Sequence, residues 1–495
     1  MKKFFEEHDL FKLAGIMMLI SAILSWILVY SYYSSGSLTV FTDSTMVGLT
    51  RSIFDESTVG IFDFNTYGLL SLYYFTITFV YVAVVAGFYK FLGSLNAYKK
   101  LTDKVADVFK GKEKLFIAIS ILLYAVLASL STDYMSLLVF VPFTITILHK
   151  LGMDKITSLI SSFGGILLGI LGSTYSTKVA GMLVDSTYGI GVSYGYDFVI
   201  VLCISVIAYA TLLYLTFTRL GKLKKNDKDI VPDMFASEEV EVKKDSKKKS
   251  HYVNIVPLAI VLGIVGLIVV LAYIGWSTAL GVDAFNNAYT WFTDATLFGY
   301  PLFSVLLGTT TFKAFGSWDL FGAASLMIIA TIIIKIIYKV PFDTIISEYG
   351  NGLKKILKSI ILLMMIYAVL IFTVVYPAIP GVINQIDVTL GSVTWLQPVA
   401  WVLNGGIATL FTVDFQYTMS LIGSLYATYS NVQAAGFALQ AAYGLTAFIA
   451  PTSAVLMLGL SMLNIKFKDY FKFIWKFLVA ILVVVLVILY IMMFI

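Results

Sequence analysis

The sequence predicts an all-α polytopic membrane protein, built as an inverted-topology repeat with two re-entrant helical hairpins and two broken transmembrane helices. Three observations carry that fold class. Of the 495 residues 59% are hydrophobic and only 13% charged, with mean hydropathy +0.91, far from the mix of a water-soluble domain. Apolar runs of about 20 residues recur along the chain, each able to cross a hydrocarbon core of about 30 Å as a helix. Two longer apolar stretches hold an aspartate beside small hydroxyl residues: LSTDYMSLL with Asp133 and FTVDFQYTMSL with Asp414.

Lysine and arginine positions orient the spans. The basic start MKKFFEEHDLFK is expected in the cytoplasm, so residues 12–33 run outward as a retained first span, too long for a signal peptide. Residues 34–65, with Arg51 alone, fit an outside loop. Residues 67–92 return, and the lysine-rich connection from Tyr98 to Lys114 is cytoplasmic. The stretch 115–148 lies between Lys112/Lys114 and Lys150/Lys155, so both its ends face one side. At about 1.5 Å per residue it is too long for one ordinary span and suits two half-length helices. It reads as a hairpin entering from the cytoplasm and turning near mid-membrane at Ser131, Thr132 and Asp133. Residues 156–184 cross outward, interrupted by GSTYSTK (172–178), and 197–218 cross back, closing a first repeat over 1–218.

The linker 219–252 has the composition of a solvated, mobile cytoplasmic segment, with ten Lys/Arg and seven Asp/Glu between Arg219 and His251. A connecting region (253–318) follows, with a span at 253–275 and an outside portion whose run 295–311 is re-entrant or interfacial. The second repeat (319–495) has the opposite sense: spans 319–338 and 356–378, a hairpin 397–429 free of Lys and Arg, a helix 433–464 broken at APTS (450–453), and a final span 472–494. HDLFKLAGIMMLIS near the start is similar to WDLFGAASLMIIAT near 318, and the TDY and VDF tips align.

Backbone that leaves helical geometry inside a bilayer strands N–H and C=O groups at several kcal/mol each unless protein or a watery cavity satisfies them. Gly172, Ser173, Thr174, Ser176 and Thr177 in one break, and Pro451, Thr452 and Ser453 in the other, interrupt the helix and supply oxygens for an ion or solute. Paired half-helix ends direct positive dipole ends toward anions and free carbonyls toward cations. Asp133 and Asp414 would cost about 2.5–3.5 kcal/mol each if they faced lipid, so they are placed on the cavity. There they bind a coupling cation, a proton or a substrate amine, or else each caps the helix leaving its tip. Lys178, the one basic residue deep in a crossing segment, pairs with a substrate carboxylate, neutralises an aspartate, or snorkels outward. Thr412 and Gln416 complete the second tip. A coupling Na⁺ would draw its oxygens from Ser131, Asp133, Ser173, Thr412, Asp414 and Thr452.

His8, His149 and His251 sit at cytoplasmic margins, and the 31 Tyr and 37 Phe are read as packing or lipid-facing residues. Asn404, Gln416, Asn431, Gln433 and Gln440 are buried-polar candidates around the second hairpin, while Gly164/Gly165 and Gly405/Gly406 mark close helix packing. The lone Cys203 permits no internal disulfide or thiolate metal site, and the net charge of +5 gives no reason to invoke nucleic acid. An intramembrane enzyme would need a His, a Cys pair or an ATP-binding loop, which the spans lack.

The closing segment AAYGLTAFIAPTSAVLMLGLSMLNIKFKDYFKFIWKF resembles that of the YfcC/DcuC-type carriers of the ion transporter superfamily. ILSWIL (23–28), TVGIFDF (58–64) and SEYGNGLKKILKSIILL are similar to other patterns of that family. This chain departs from them at YSYYSSG after the first span, at STYSTK in the first break and at FTVDFQ in the second tip. The resemblance implies a scaffold domain, a transport domain carrying both hairpins, elevator-type motion and homodimers. Its implied substrates include C4-dicarboxylates, basic amino acids and short aminoacyl compounds. The combined expectation is an ion-coupled symporter or exchanger in a prokaryotic plasma membrane, taking a small carboxylate-bearing solute and using no cofactor beyond a coupling Na⁺ or H⁺. Two acidic tips and a lysine favour an amino acid, basic ones of the arginine or ornithine type included, over a C4-dicarboxylate. An ion channel is the alternative of another class.

Overall fold

The computed structural model describes residues 9–35, 59–184, 190–223, 229–236, 254–308, 313–376, 378–412 and 414–494. The outside loop 34–65, the linker 219–252 and the tip residue Val413 therefore lie partly or wholly outside the described residues, as do His8 and His251. Among the described residues the chain is almost entirely helical, and eight helices are long and apolar enough to cross a membrane.

The first span is α1 (Asp9–Ser35). The return leg predicted over 67–92 is instead two helices, α2 (Ile61–Tyr74) and α3 (Thr76–Gly93), parted at Phe75. Thr76 explains the break. Its hydroxyl donates back to the carbonyls of Leu72 and Tyr73, an interaction that bends helices. A helix absent from the sequence reading follows: α4 (Asn96–Phe109), amphipathic and mostly polar, with Ala97, Tyr98, Thr102 and Ala106 on its buried face.

Next, α5 (Glu113–Leu130) runs to the STD tip, and the chain returns through a 3₁₀ segment (Tyr134–Val139) and α6 (Val141–Lys150). Lys150 pairs with Asp103 on α4, which directly precedes α5, so the two arms start and finish together. The outgoing arm is not half length, however. Its 18 residues have full crossing length, and Thr132 N–H donates to Tyr273 O (2.6 Å) at the far end of α11 (Ile255–Tyr273). The turn therefore lies level with the end of a crossing helix.

α7 (Lys155–Leu159) passes through a π-helical turn (Ile160–Gly164) into α8 (Gly165–Leu171). After the break comes α9 (Ala180–Val184), then α10 (Tyr194–Lys222). Residues 229–236 are not a solvated strand of linker. Val231 and Phe235 are buried, Val231 N–H donates to Met153 O, Lys90 donates to Ala236 O (2.6 Å) and Lys355 to Met234 O (2.5 Å). The short apolar run IVPDMF, hidden among charges, gives this segment something to bury.

The predicted outside run 295–311 supplies no crossing helix among the described residues. α12 (Ala284–Asp294) and α13 (Leu302–Leu307) are short, and Phe298 and Val305 are exposed. After α14 (Leu320–Tyr338), α15 (Phe342–Val375) begins well before the predicted 356, because about four amphipathic turns precede the apolar stretch. α16 (Ile379–Ile386) and a π-helical turn (Asp387–Gly391) fill the approach to the second hairpin, formed by α17 (Gln397–Phe411) and α18 (Phe415–Ala427). α19 (Val432–Ala447) and α20 (Ala454–Met462) flank the APTS break, and α21 (Phe467–Phe494) ends the chain.

Two packed groups emerge. α15 packs on α1, α2 and α3, with α14 against α3; α8 packs on α5 and α19, and α19 on α17 and α21. α20 joins the groups by packing on α15. Outward faces stay apolar, as on α11, where Val256, Ile260, Ile264 and Leu267 form one exposed stripe opposite buried Leu258, Val265 and Val269. Such a stripe has lipid as its solvent.

Small residues set the α5–α8 approach. A Cβ at Gly165 would stand 2.7 Å from Tyr124 Cβ, and one at Gly169 would stand 2.6 Å from Ala128 Cβ. Gly169→Val is expected to cost about 1–3 kcal/mol by overpacking, read as a lower melting temperature of the detergent-solubilised protein. Gly263→Val, which meets nothing within 4 Å, should leave it unchanged.

Candidate functional site

The two acidic tips meet. Lys178 Nζ lies 3.3 Å from Asp133 Oδ2 and 3.1 Å from Asp414 Oδ2, so one ammonium from the first break bridges carboxylates of both hairpins. The side chains are 27%, 18% and 18% exposed respectively, neither sealed nor free in solvent. Removing Lys178 would leave two carboxylates facing each other in a site poor in water.

Local structure fixes each partner. Ser131 Oγ accepts from Asp133 N–H (3.1 Å), and Asp133 Oδ1 accepts from Met135 N–H (3.0 Å) as N-cap of the 3₁₀ segment. Asp133 thus takes the capping role and is also the charge partner of Lys178. Asp414 stands at the N-cap position of α18 but makes no capping bond. Its Oδ1 is buried without a hydrogen-bond partner among the described residues. Lys178 is held by its own N–H donating to Ser176 Oγ (3.3 Å).

Each tip rests on the broken helix that follows it. The N–H groups of Thr174, Tyr175 and Ser176 converge on Ser129 O, and the Thr174 and Ser129 hydroxyls pair at 2.8 Å. In the second half Thr452 Oγ1 donates to Leu410 O (2.9 Å), and the Thr412 and Thr418 hydroxyls pair at 2.6 Å. Ser453 caps α20 by accepting from Leu456 N–H. Cross-links join the assemblies: Gln440 donates to Ser173 O (2.7 Å), and the Tyr134 and Tyr443 hydroxyls meet at 3.2 Å.

Four of the predicted site residues do not reach the cluster. Gln416 is exposed on α18. Thr177 Cγ2 faces Gly275, Gly172 is pressed against Ser205 of α10, and Pro451 lines the second break without touching the charges. Of the six proposed Na⁺ ligands, Asp133 and Asp414 are drawn together by Lys178, while the Thr412 and Thr452 hydroxyls donate to the carbonyls of Ala408 and Leu410.

Sequence reasoning missed the tyrosines. Lys178 Nζ sits 5.6 Å over the Tyr134 ring, a cation–π distance. Tyr81 OH donates to Ser136 O (2.5 Å) and Tyr89 OH to Val139 O (2.6 Å), bracing the 3₁₀ segment. Only the adjacency of Tyr134 to Asp133 was visible as a signal. Thr132 Oγ1, Ser136 Oγ, Ser173 Oγ and Gln440 Oε1 are buried and unpartnered among the described residues. Native structures keep such groups few, and here they gather beside a charge cluster. A small cavity of about 10 Å³, lined in part by Tyr134, Thr409, Thr412, Tyr443 and Ser453, lies next to the second tip.

Crossing helices interrupted around a half-buried charge cluster, with apolar stripes facing outward, mark an integral membrane protein, and the family to which the chain belongs is one of transporters. The chain belongs to the DcuC family, whose model, described as C4-dicarboxylate anaerobic carrier, matches residues 8–494. No curated protein matches it significantly. Among solved structures, the Alcanivorax borkumensis YdaH transporter aligns at 12% identity over 96% of this chain and 97% of that one, with TM-score 0.42. Neisseria gonorrhoeae MtrF, described in terms of antimetabolite efflux pumps, aligns at 9% identity over 96% and 94%, with TM-score 0.38.

Lys178→Gln is expected to cost about 1–3 kcal/mol of stability, since two carboxylates then face each other with partial screening. Asp414→Asn added to it should restore part of that loss. Melting temperatures of the single and double variants check this, and strictly additive effects would show that the three groups act separately.

Proposed function

We propose that the protein is a secondary active transporter of a small carboxylate-bearing solute, most simply an amino acid with a basic side chain. The observation that carries this reading is Lys178 held between Asp133 and Asp414. A zwitterion is complementary to that arrangement: its carboxylate takes the Lys178 ammonium, and its own cationic groups take the freed aspartates. A doubly anionic ligand would meet two carboxylates, each repelling it by about 3–4 kcal/mol at 4–6 Å and an effective dielectric near 20.

The rest of the mechanism is inferred on the same footing. The two halves are read as an inverted repeat, supported by each tip resting on its following broken helix. The group around α15 is read as scaffold and the group around α8 and α19 as the moving, elevator-type transport unit, in a homodimer in a prokaryotic plasma membrane with the N-terminus in the cytoplasm. Lys178 offsets one of the two carboxylates, and the net charge of −1 that remains matches the net +1 of a basic amino acid, so this reading uses proton coupling or exchange rather than Na⁺ symport.

C4-dicarboxylate transport is the second reading, favoured by the description of the family. Proteoliposomes separate the two. Arginine or ornithine uptake should saturate, respond to a pH gradient or internal amino acid, ignore Na⁺, and fall at least about tenfold in Asp414→Asn, a loss of about 1.4 kcal/mol. Saturable succinate uptake without amino acid uptake would establish the second reading. No saturable flux of either would overturn both.

A further inference from the structure

The largest cavity among those described is remote from the charge cluster. It is an open cleft of about 800 Å³ between the end of α10, the start of α21 and the start of α7, a volume ordinary for a bound organic ligand. Its lining has six cations, Lys155, Arg219, Lys222, Lys466, Lys472 and Lys476, against three carboxylates.

The cations differ in how far they are committed. Arg219 is set in place by Asp154, which is buried at 2% exposure and accepts from Arg219 Nε (3.3 Å) and Nη2 (3.0 Å) at a single oxygen. Of the five guanidinium N–H donors this leaves most unspent and aimed by a rigid fork, the geometry that suits phosphate. Lys155 pairs with Asp229 (2.9 Å) and Lys472 with Asp469 (3.5 Å). Lys222, Lys466 and Lys476 have no carboxylate within salt-bridge distance among the described residues. Six cations against three carboxylates leave the cavity net positive, with Lys222 and Lys466, Lys476 over the Trp475 ring (5.8 Å) and the pre-aimed Arg219 carrying the excess.

The cavity's neighbours on α21 indicate the source of the anion. Lys472 and Lys476 share a helix face with Val479, Val483 and Val487, all exposed, so the basic lining continues into an apolar stripe along the same helix. We propose that this cavity binds a phosphate-bearing anion, and that the stripe beneath favours the phosphodiester headgroup of a membrane lipid, its acyl chains lying along α21. Basic pockets at the ends of transmembrane helices are suited to such headgroups. The site stands whichever solute the charge cluster carries.

The test uses the full chain in neutral detergent, with native mass spectrometry counting retained lipids and thermal shift following inorganic phosphate. Phosphatidylglycerol should be retained at least about fivefold over phosphatidylcholine, and the Lys222→Gln/Lys466→Gln/Lys476→Gln variant should bind it at least about tenfold more weakly. Lys335→Gln/Lys339→Gln, basic residues outside the cavity, should bind as the wild type does. A thermal shift with inorganic phosphate, lost in the triple variant, would assign the site to free phosphate. Absence of both the wild-type lipid preference and the phosphate shift overturns the proposal, as does equal weakening in the control variant. The wild-type comparison decides the matter even if the triple variant does not fold.

Discussion

Carboxylates drawn out of bulk water are costly unless a cation meets them, and this chain sets two of them against one ammonium. Asp133 and Asp414 arrive from hairpins far apart in sequence, and Lys178 comes from a third element. The ammonium is within 3.3 Å of both, and that shared contact obliges two tips and a helix break to occupy one place. The Ser129, Gln440 and Tyr443 contacts then serve to hold backbone that has left the helix. Because removing one charge changes the burden on the other two, the cluster couples the halves of the molecule energetically as well as spatially.

Much of this was legible in the sequence for a single reason: charges and helix breakers are rare in apolar runs, so each one stands out. Asp133, Asp414, Lys178 and the hydroxyl-rich breaks were visible on that ground. Their meeting was not, because hydropathy gives positions along the chain and no distances between segments. The reading left Lys178 with three possible fates, and the coordinates place it between the aspartates. Tyr134 and Tyr443 were hidden by abundance, since with 31 tyrosines composition does not distinguish a buried hydroxyl from one at the membrane edge. α4 was missed because its polar majority masks a narrow buried face. The break at Phe75 was missed because neither Gly nor Pro marks it; the cause is a threonine hydroxyl bonding backward. The length of α5 was underestimated because a stretch with both ends basic was divided evenly, whereas the chain divides it into one long arm and a shorter return with a 3₁₀ start.

The half-buried character of the cluster also bears on selectivity. On the proposed reading, a solute arriving at side chains that are 18–27% exposed would replace water as well as an internal ion pair, and the unpartnered oxygens of Thr132, Ser136 and Ser173 would count toward recognition along with the charges. A ligand that satisfied the charges and left those atoms dry would give up a good part of its gain.

The segment 229–236 has a mechanical meaning that its small size conceals. It is bonded to Met153 and Lys155 beside the first hairpin and, a few residues on, to Lys90 and Lys355 of α3 and α15. One short peptide is thus stapled to both bundles. Under the proposed elevator motion, a stroke of one bundle past the other would snap a set of these bonds or drag the peptide along, so this leash would limit travel without touching the solute.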